Sequence, residues 1–397
     1  MLTYEDALAQ ILTQAVILPP VRTPIADALG LVLAEDLVTP HNLPPFDNSS
    51  MDGFAVRFAD LEIVPVTLPL SGEIAAGALD IPALLPGQAL RIMTGAPVPD
   101  GADTVIPVED TEAQANGSVA FLEAAERGQY IRRAGEEMRR GAIVVPKGSR
   151  LRPAEIGMAA TVGRAEILAY PKPRVAVIST GDELVEPGTV LKRGQIYNSN
   201  AYALAAQVED AGGVVTQRLH ARDTPEALRE AFDACAGVDV LLTSGGVSVG
   251  DFDYVKAVFA ERGTVDFWRV AIRPGKPLAF GQWGRTLFFG LPGNPASSMV
   301  TFELFVRPAL RKMAGHSALT RPEIKATLTE DAEHTPGRRS YQRAVVSGQD
   351  GKNTVRTTGA QGSGMLSPLV QANALLVLPA ETAVFPKGTE VTVLLLD

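Results

Sequence analysis

The chain has 397 residues, 46% hydrophobic and 20% charged, a balance that excludes disorder and predicts a packed multidomain globular protein. Its 45 acidic residues outnumber 36 basic ones for a net charge of -9, which excludes a general binder of nucleic-acid backbone, since such proteins carry an extended basic face. The acidic start MLTYEDALAQ lacks the basic region of a signal peptide and no apolar run is long enough to span a bilayer, so a cytoplasmic protein with no membrane partner is expected.

The single cysteine, Cys235, can form no internal disulfide, and its setting AFDACAGVDV predicts a small buried residue on a helix, not a nucleophile. His41, His220, His316 and His334 are scattered without ligand spacing, which argues against structural zinc. Any metal should be a hard cation on oxygen ligands.

In chain order, YEDALAQILTQAV carries a helical stripe of Ala7, Leu8, Ile11, Leu12 and Ala15, ended by Pro19 and Pro20. A Pro-rich loop, TPHNLPPFDNSSMDG, follows. From Phe54 to about Pro146 short β-type runs (FAVRF, VTLPL, ALRIMTG, TVIPV, VAFLEA, AIVVP) are punctuated by Gly, Pro and Asp, which predicts a small β-rich domain. A short helix, PAEIGMAATVG, and a strand, AEILAY, lead to a boundary at YPKPR. Beyond it the rhythm is strand, glycine turn, helix: PRVAVIST, the helix in NSNAYALAAQVEDAGG, DVLLTSGG, DYVKAVFAERG, FWRVAI, LAFGQW, LFFG and the helix ASSMVTFELFVRPALRKMAG. This alternation predicts a mostly parallel αβα sandwich with ligands at the carboxyl ends of its strands. Short strands return from about 320 (EIKATLTE, SYQRAVVSG, TVRTTG, ALLVLPA, EVTVLLL) and predict a small barrel or sandwich.

Three turns can carry chemistry. STGDEL places Asp182 and Glu183 just past a strand, as site acids or as solvated turn residues. In TSGGVSVGDFDY, Gly245 and Gly246 let backbone N–H groups approach an anion and Ser248 offers a hydroxyl, while Asp251 and Asp253 either cap the next helix or bind metal. In LPGNPASS, Pro292 and Pro295 stiffen a turn around Gly293 and Asn294, with Ser297 and Ser298 opening a helix. Between them Arg269, Arg273 and Lys276 form a cationic segment that favours oxyanion or phosphate binding over a solvated face. Elsewhere, Asp52 lies in NSSMDGFAV and Thr94 ends the strand of RIMTGAPVP.

Together, NSSMDGFAV, RIMTGAPVP, IRRAGEEM, STGDEL, TSGGVSVGDFDY, RPGKP, GLPGNPAS, YQRA and GAQGSGMLS, in this order along nearly the whole chain, resemble the MoeA family, the molybdopterin molybdenumtransferases related to the gephyrin E domain. The resemblance implies an elongated α/β multidomain homodimer. Its parts would be an N-terminal linking domain at 1–40 and 147–170, a β-rich domain at 41–146, a molybdopterin-binding αβα domain at 171–316 and a C-terminal β-barrel at 317–397. It implies insertion of molybdenum from molybdate into adenylylated molybdopterin, with magnesium-dependent hydrolysis of the adenylate and release of AMP. An upstream molybdopterin adenylyltransferase and downstream molybdoenzyme maturation proteins are the partners so implied. Residue by residue, Asp52 and Thr94 match positions needed for activity on the domain that reaches across the dimer. Glu183, Asp223 and Asp253 match acidic cleft positions, the set expected to hold Mg²⁺. Arg269, Arg273 and Lys276 match basic positions that are often lysine. Pro292, Asn294, Pro295 and Ser297 match the PGNP turn, and Arg343 and Ser363 match positions associated with molybdate. Ser50, Phe54 and Glu137 depart from the usual alanine, tyrosine and aspartate. The rival readings are a single-step molybdopterin adenylyltransferase and a non-catalytic cofactor scaffold.

Overall fold

A computed structural model describes residues 1–246 and 254–396. The chain divides into two compact units, a larger one of residues 1–34, 148–152 and 166–397, and a smaller one of residues 35–147 and 153–165.

The larger unit is built on a six-stranded sheet: β1 (Arg174–Thr180), β2 (Val214–Ala221), β3 (Val240–Ser244), β4 (Thr264–Arg269), β5 (Pro277–Trp283) and β6 (Thr286–Leu291), in the order β2-β1-β3-β6-β5-β4. β2, β1, β3 and β6 run parallel, and β5 lies antiparallel to both β6 and β4. The apolar runs of β1, β3 and β6 are buried on both faces, and alternate residues feed opposite cores. Val175, Val177, Val240, Leu242, Leu287 and Phe289 enter one; Ala176, Ile178, Leu241 and Phe288 enter the other.

The covering helices follow from their caps and apolar spacing. α1 (Ser199–Asp210) is capped by Asn198, whose side chain accepts from the Ala201 N–H. α2 (Pro225–Ala234) starts with a Thr224 cap and a proline in its first turn and buries Leu228, Ala231 and Phe232. Neither β2 nor α2 stands out in the sequence, because β2 is an edge strand whose alternate positions are exposed and polar. α3 is Tyr254–Ala260.

The last helical run is interrupted. α4 (Pro295–Thr301) passes through a π turn, Phe302–Val306, into α5 (Arg307–Met313), where the sequence predicts one uniform helix. Pro308 has no N–H to donate and its ring would strike the carbonyl one turn back, and the wider π turn relieves both faults. The N-terminal helix Tyr4–Gln14 buries Ala7 and Ile11 in the same core, and its Tyr4 ring lies 5.5 Å from that of Phe305.

The unit ends in five strands: β7 (Glu323–Leu328), β8 (Arg339–Gln349), β9 (Lys352–Thr357), β10 (Ala374–Leu378) and β11 (Glu390–Leu395). They run in the order β8-β9-β7-β11-β10, and β10 pairs again with β8, which closes the barrel. The expected α/β multidomain fold with a C-terminal barrel is therefore present.

In the smaller unit a six-stranded sheet takes the order Thr104–Pro107, Gly53–Val56, Ala89–Ile92, Val66–Ile74, Ser118–Phe121 and Thr111–Ala113. Gly53 is required there, since a Cβ would fall on the Ile106 carbonyl of the neighbouring strand. Phe54 and Phe121 pack edge to face in its core, 6.0 Å apart.

Candidate active site

Parallel register fixes where the chemistry gathers. Ser179 of β1 is level with Ser244 of β3, which is level with Leu291 of β6. The turns that follow, at Gly181, Gly245 and Pro292, therefore open onto one edge. β4 also ends there at Arg269 and β5 begins there at Pro277, because Arg269 pairs with Pro277. Against this edge the barrel presents β8 and the loop that ends at Gly364, and between them lies a cleft of about 1720 Å³. That volume exceeds a typical small-molecule pocket and suits a ligand with more than one part.

Among the cleft-lining residues are Glu183, Asp223, Gly245, Gly246, Arg273, Lys276, Pro292, Asn294, Pro295, Ser297, Arg343 and Ser363. Arg269 does not line it: it is exposed at the tip of β4, and the chain turns through Pro274 and Gly275 before Lys276. Asp52 and Thr94 belong to the smaller unit. Ser248, Asp251 and Asp253 lie outside the described residues.

The second turn shows why glycine is needed. Gly245 and Gly246 have φ of 97° and 65°, and a Cβ on Gly245 would lie 2.8 Å from the Thr180 carbonyl oxygen. Gly245→Ala is expected to cost about 2 kcal/mol or more, from the left-handed backbone and the collision together. Thermal unfolding beside the parent protein checks this; an unchanged Tm would mean that the turn relaxes freely.

Two residues knit the turns. Asn200 Nδ2 donates to Ser244 Oγ at 2.9 Å and to the Gly293 carbonyl at 2.7 Å, joining the ends of β3 and β6. Asn294 Nδ2 donates to Ser363 Oγ at 3.1 Å, and the Ala296 N–H donates to the Ser363 carbonyl at 3.0 Å, so the PGNP turn is held by the barrel's loop. Asn200, His334, Arg338 and Gln361 also line the cleft and do not stand out in the sequence. Only Asn200 leaves a trace there, as one of three cap candidates. Asn198 takes the cap and leaves Asn200 to make the bridge.

Both walls of the cleft carry charge of both signs, Glu183, Asp223, Arg273 and Lys276 on the sheet side and Asp331, Glu333, Arg338 and Arg343 on the barrel side. On the sheet side, burial and then the charges of Asp182 and Glu183 hold the Asp223 carboxyl above the ordinary range. Adjacent carboxylates that repel one another suit a hard cation. Among the described residues no group of three His, Cys, Asp or Glu side chains could hold a metal. A magnesium-type ion needs only one or two carboxylates beside phosphate oxygens and water, and Glu183 with Asp223 fits that requirement.

On the barrel side sits Arg343, 1% exposed. Its Nη2 donates to the Gly362 carbonyl at 3.0 Å and, more weakly, to the Ala360 carbonyl at 3.4 Å, while its buried Nε has no partner. Gln361 brackets its backbone, accepting from the Arg343 N–H at 2.9 Å and donating to its carbonyl at 3.1 Å. No carboxylate among the described residues forms an ion pair with Arg343, and burial pushes its pKa down. A buried guanidinium without a counter-ion is unfavourable in isolation and is matched by an incoming anion.

In the smaller unit Asp52 Oδ1 accepts from both the N–H and the hydroxyl of Thr94, each at 2.7 Å. The backbone N–H and then the hydroxyl hold the carboxyl below its usual range. A depressed acid stabilises the fold above its unfolded pKa and loses that contribution as pH falls through the folded value. NMR titration of Asp52 should therefore give a midpoint below the usual 3.9 or so, and Thr94→Val should move it upward. An unmoved midpoint would mean that the hydroxyl contributes nothing.

Comparison with known proteins gives the family. Three family models match in order: MoeA N-terminal region (domain I and II) over residues 2–163, probable molybdopterin binding domain over 176–312, and MoeA C-terminal region (domain IV) over 325–396. A molybdopterin molybdenumtransferase 2 of Mycobacterium tuberculosis is 43% identical over 94% of this chain and 94% of its own length. The chain belongs to the MoeA family. A molybdopterin molybdenumtransferase of Haemophilus influenzae is 38% identical over 99% of this chain and 98% of its own. The crystal structure of a MoeA protein from Pyrococcus horikoshii superposes with a TM-score of 0.83 at 33% identity, covering 100% of this chain and 99% of that one. No helix among the described residues is long and apolar enough to cross a membrane.

Proposed function

We propose that this MoeA-family chain is a molybdopterin molybdenumtransferase that takes molybdenum from molybdate into adenylylated molybdopterin, hydrolyses the adenylate with the help of Mg²⁺ and releases AMP. The observation that carries this reading is one cleft that holds adjacent carboxylates on its sheet side and a buried, counter-ion-free arginine on its barrel side. A small tetrahedral oxyanion is matched by Arg343 with the Ser363 hydroxyl and the PGNP turn beside it. The phosphates of an adenylylated substrate are matched by the Gly245–Gly246 turn with Arg273 and Lys276.

In this reading Glu183 and Asp223 would hold Mg²⁺, which when bound neutralises charge developing on a phosphoanhydride oxygen. Lys276 and Arg273 orient the phosphates. Asn200 keeps the second and third turns at fixed spacing, and Asn294 keeps the third turn against the barrel, so the two anions are presented at a set separation. Asp52, held as a carboxylate by Thr94, serves a partner subunit in a homodimer. Arg269 acts at longer range through the local field, since it does not line the cleft.

The deciding experiment supplies the protein with adenylylated molybdopterin, molybdate and Mg²⁺ and measures AMP. Release that needs both molybdate and Mg²⁺ is expected. AMP formation indifferent to molybdate would sink the transferase reading. A single-step adenylyltransferase would instead consume ATP and molybdopterin, and a scaffold would bind without turnover.

A further inference from the structure

Arg343 sits where its strand has lost a neighbour. β8 and β9 pair from Gln349 with Lys352 as far as Ala344 with Thr357, so the ladder stops one residue short of Arg343. On the opposite side Arg343 pairs with Leu375 of β10. Its own backbone groups face the side that β9 leaves: the Arg343 carbonyl accepts from the Thr358 N–H at 3.0 Å and from the Thr358 hydroxyl at 3.2 Å. No strand residue remains to take the Arg343 N–H, and a buried N–H is seldom left unpaired. The Gln361 side chain stands in for the missing strand. Its Oε1 accepts from that N–H at 2.9 Å and its Nε2 donates to the Arg343 carbonyl at 3.1 Å. The orientation of the amide is forced, because an N–H can only donate and the atom facing it must be the oxygen.

Gln361 keeps no donor for a ligand. Its Nε2 donates a second time, to the Gly359 carbonyl at 3.2 Å, so both amide hydrogens are engaged by backbone. The residues beside it hold the other end of the same arginine, since the Ala360 and Gly362 carbonyls accept from Nη2. Ser363 follows and accepts from Asn294 and from the Ala296 N–H. Residues 360–363 thus fix the backbone of Arg343, its guanidinium and the seat of the loop on the PGNP turn.

We infer that Gln361 is a positioning residue that sets oxyanion affinity without contacting the anion: it fixes the backbone from which the Arg343 guanidinium faces the cleft. The inference rests on the reading of Arg343 as an oxyanion donor. Hydrogen bonds weaken steeply with lost alignment, so a donor mounted on a loosened backbone holds its anion poorly.

Isothermal titration of the full chain with molybdate, in the absence of nucleotide, tests it. Gln361→Met keeps similar length and bulk but neither hydrogen bond, and should weaken molybdate binding about tenfold. Gln361→Glu retains the acceptor for the Arg343 N–H but turns a carboxylate oxygen on two carbonyls, so its loss should be larger. A side chain that only filled space would be replaced by either without effect. Titration with AMP separates positioning from general loosening of the cleft: its affinity should move less than about twofold in both variants. Gln361→Met added to Arg343→Met should cause no further loss of molybdate affinity, because the glutamine acts through the arginine. Unchanged molybdate binding in both single variants overturns the inference. So do equal losses for molybdate and AMP, additive losses in the double variant, or a parent chain that does not bind molybdate. A parent that binds molybdate in the expected pattern yet releases no AMP from adenylylated molybdopterin removes the proposed reaction and upholds the inference.

Discussion

Arg343→Met is expected to lower molybdate-dependent turnover by about two to three orders of magnitude, the usual loss when one preorganised oxyanion donor is removed. Methionine fills similar space and adapts to irregular gaps, so the barrel should close around it. The Gly362 and Ala360 carbonyls lose a donor at about 1 kcal/mol each, partly offset because an unpaired buried charge also disappears. The measurement is AMP release as a function of molybdate concentration, beside the affinity for the adenylylated substrate. The molybdate response should collapse while nucleotide affinity moves little, and Ser363→Ala should give a milder version of the same split. Equal losses in both would mean that the buried arginine does not serve a separate oxyanion pocket.

Glu183→Ala should reduce AMP release by about two to four orders of magnitude, through loss of an acid positioned to hold the cation or the attacking water. The side chain is exposed just past β1, so the fold should be untouched, and circular dichroism and Tm should match the parent. The magnesium dependence should shift to higher concentration if Asp223 remains as the partial site. Near-normal release at ordinary magnesium would remove Glu183 from the chemistry and leave it a solvated turn residue.

The general plan could be read from the sequence because it depends on local pattern. Buried runs such as VAVIST and DVLLTS, each ended by a glycine turn, define a parallel sheet and its ligand edge before any coordinates exist. The edge strand β2 carries Thr216, Arg218 and His220 at alternate exposed positions, and its pairing comes from the neighbour, not from its own hydrophobicity. The site was legible where a turn's chemistry is self-contained, as at Gly245 and Pro292. Where contact is made across elements it was not. Asn200 bridges residues 44 and 93 positions away, and nothing in NSNAY states which strands lie beside it. Arg269, Arg273 and Lys276 look alike in sequence, yet a turn after β4 separates the first from the other two. The burial of Arg343 depends on barrel closure by β10, some thirty positions later.

Cys235 closes α2 as its C-terminal cap, fully buried, and burial alone lifts its thiol to about 11. With so little thiolate and no path for a reagent, it should resist alkylation in the native state. Because it is the chain's lone sulfhydryl, its labelling rate is a built-in clock for opening of the layer under Phe232 and Phe288. A disulfide reagent added across a urea series would time that opening without any engineered reporter. Substrates seated at the far edge of the sheet should slow the clock only if their binding energy is felt throughout the layer.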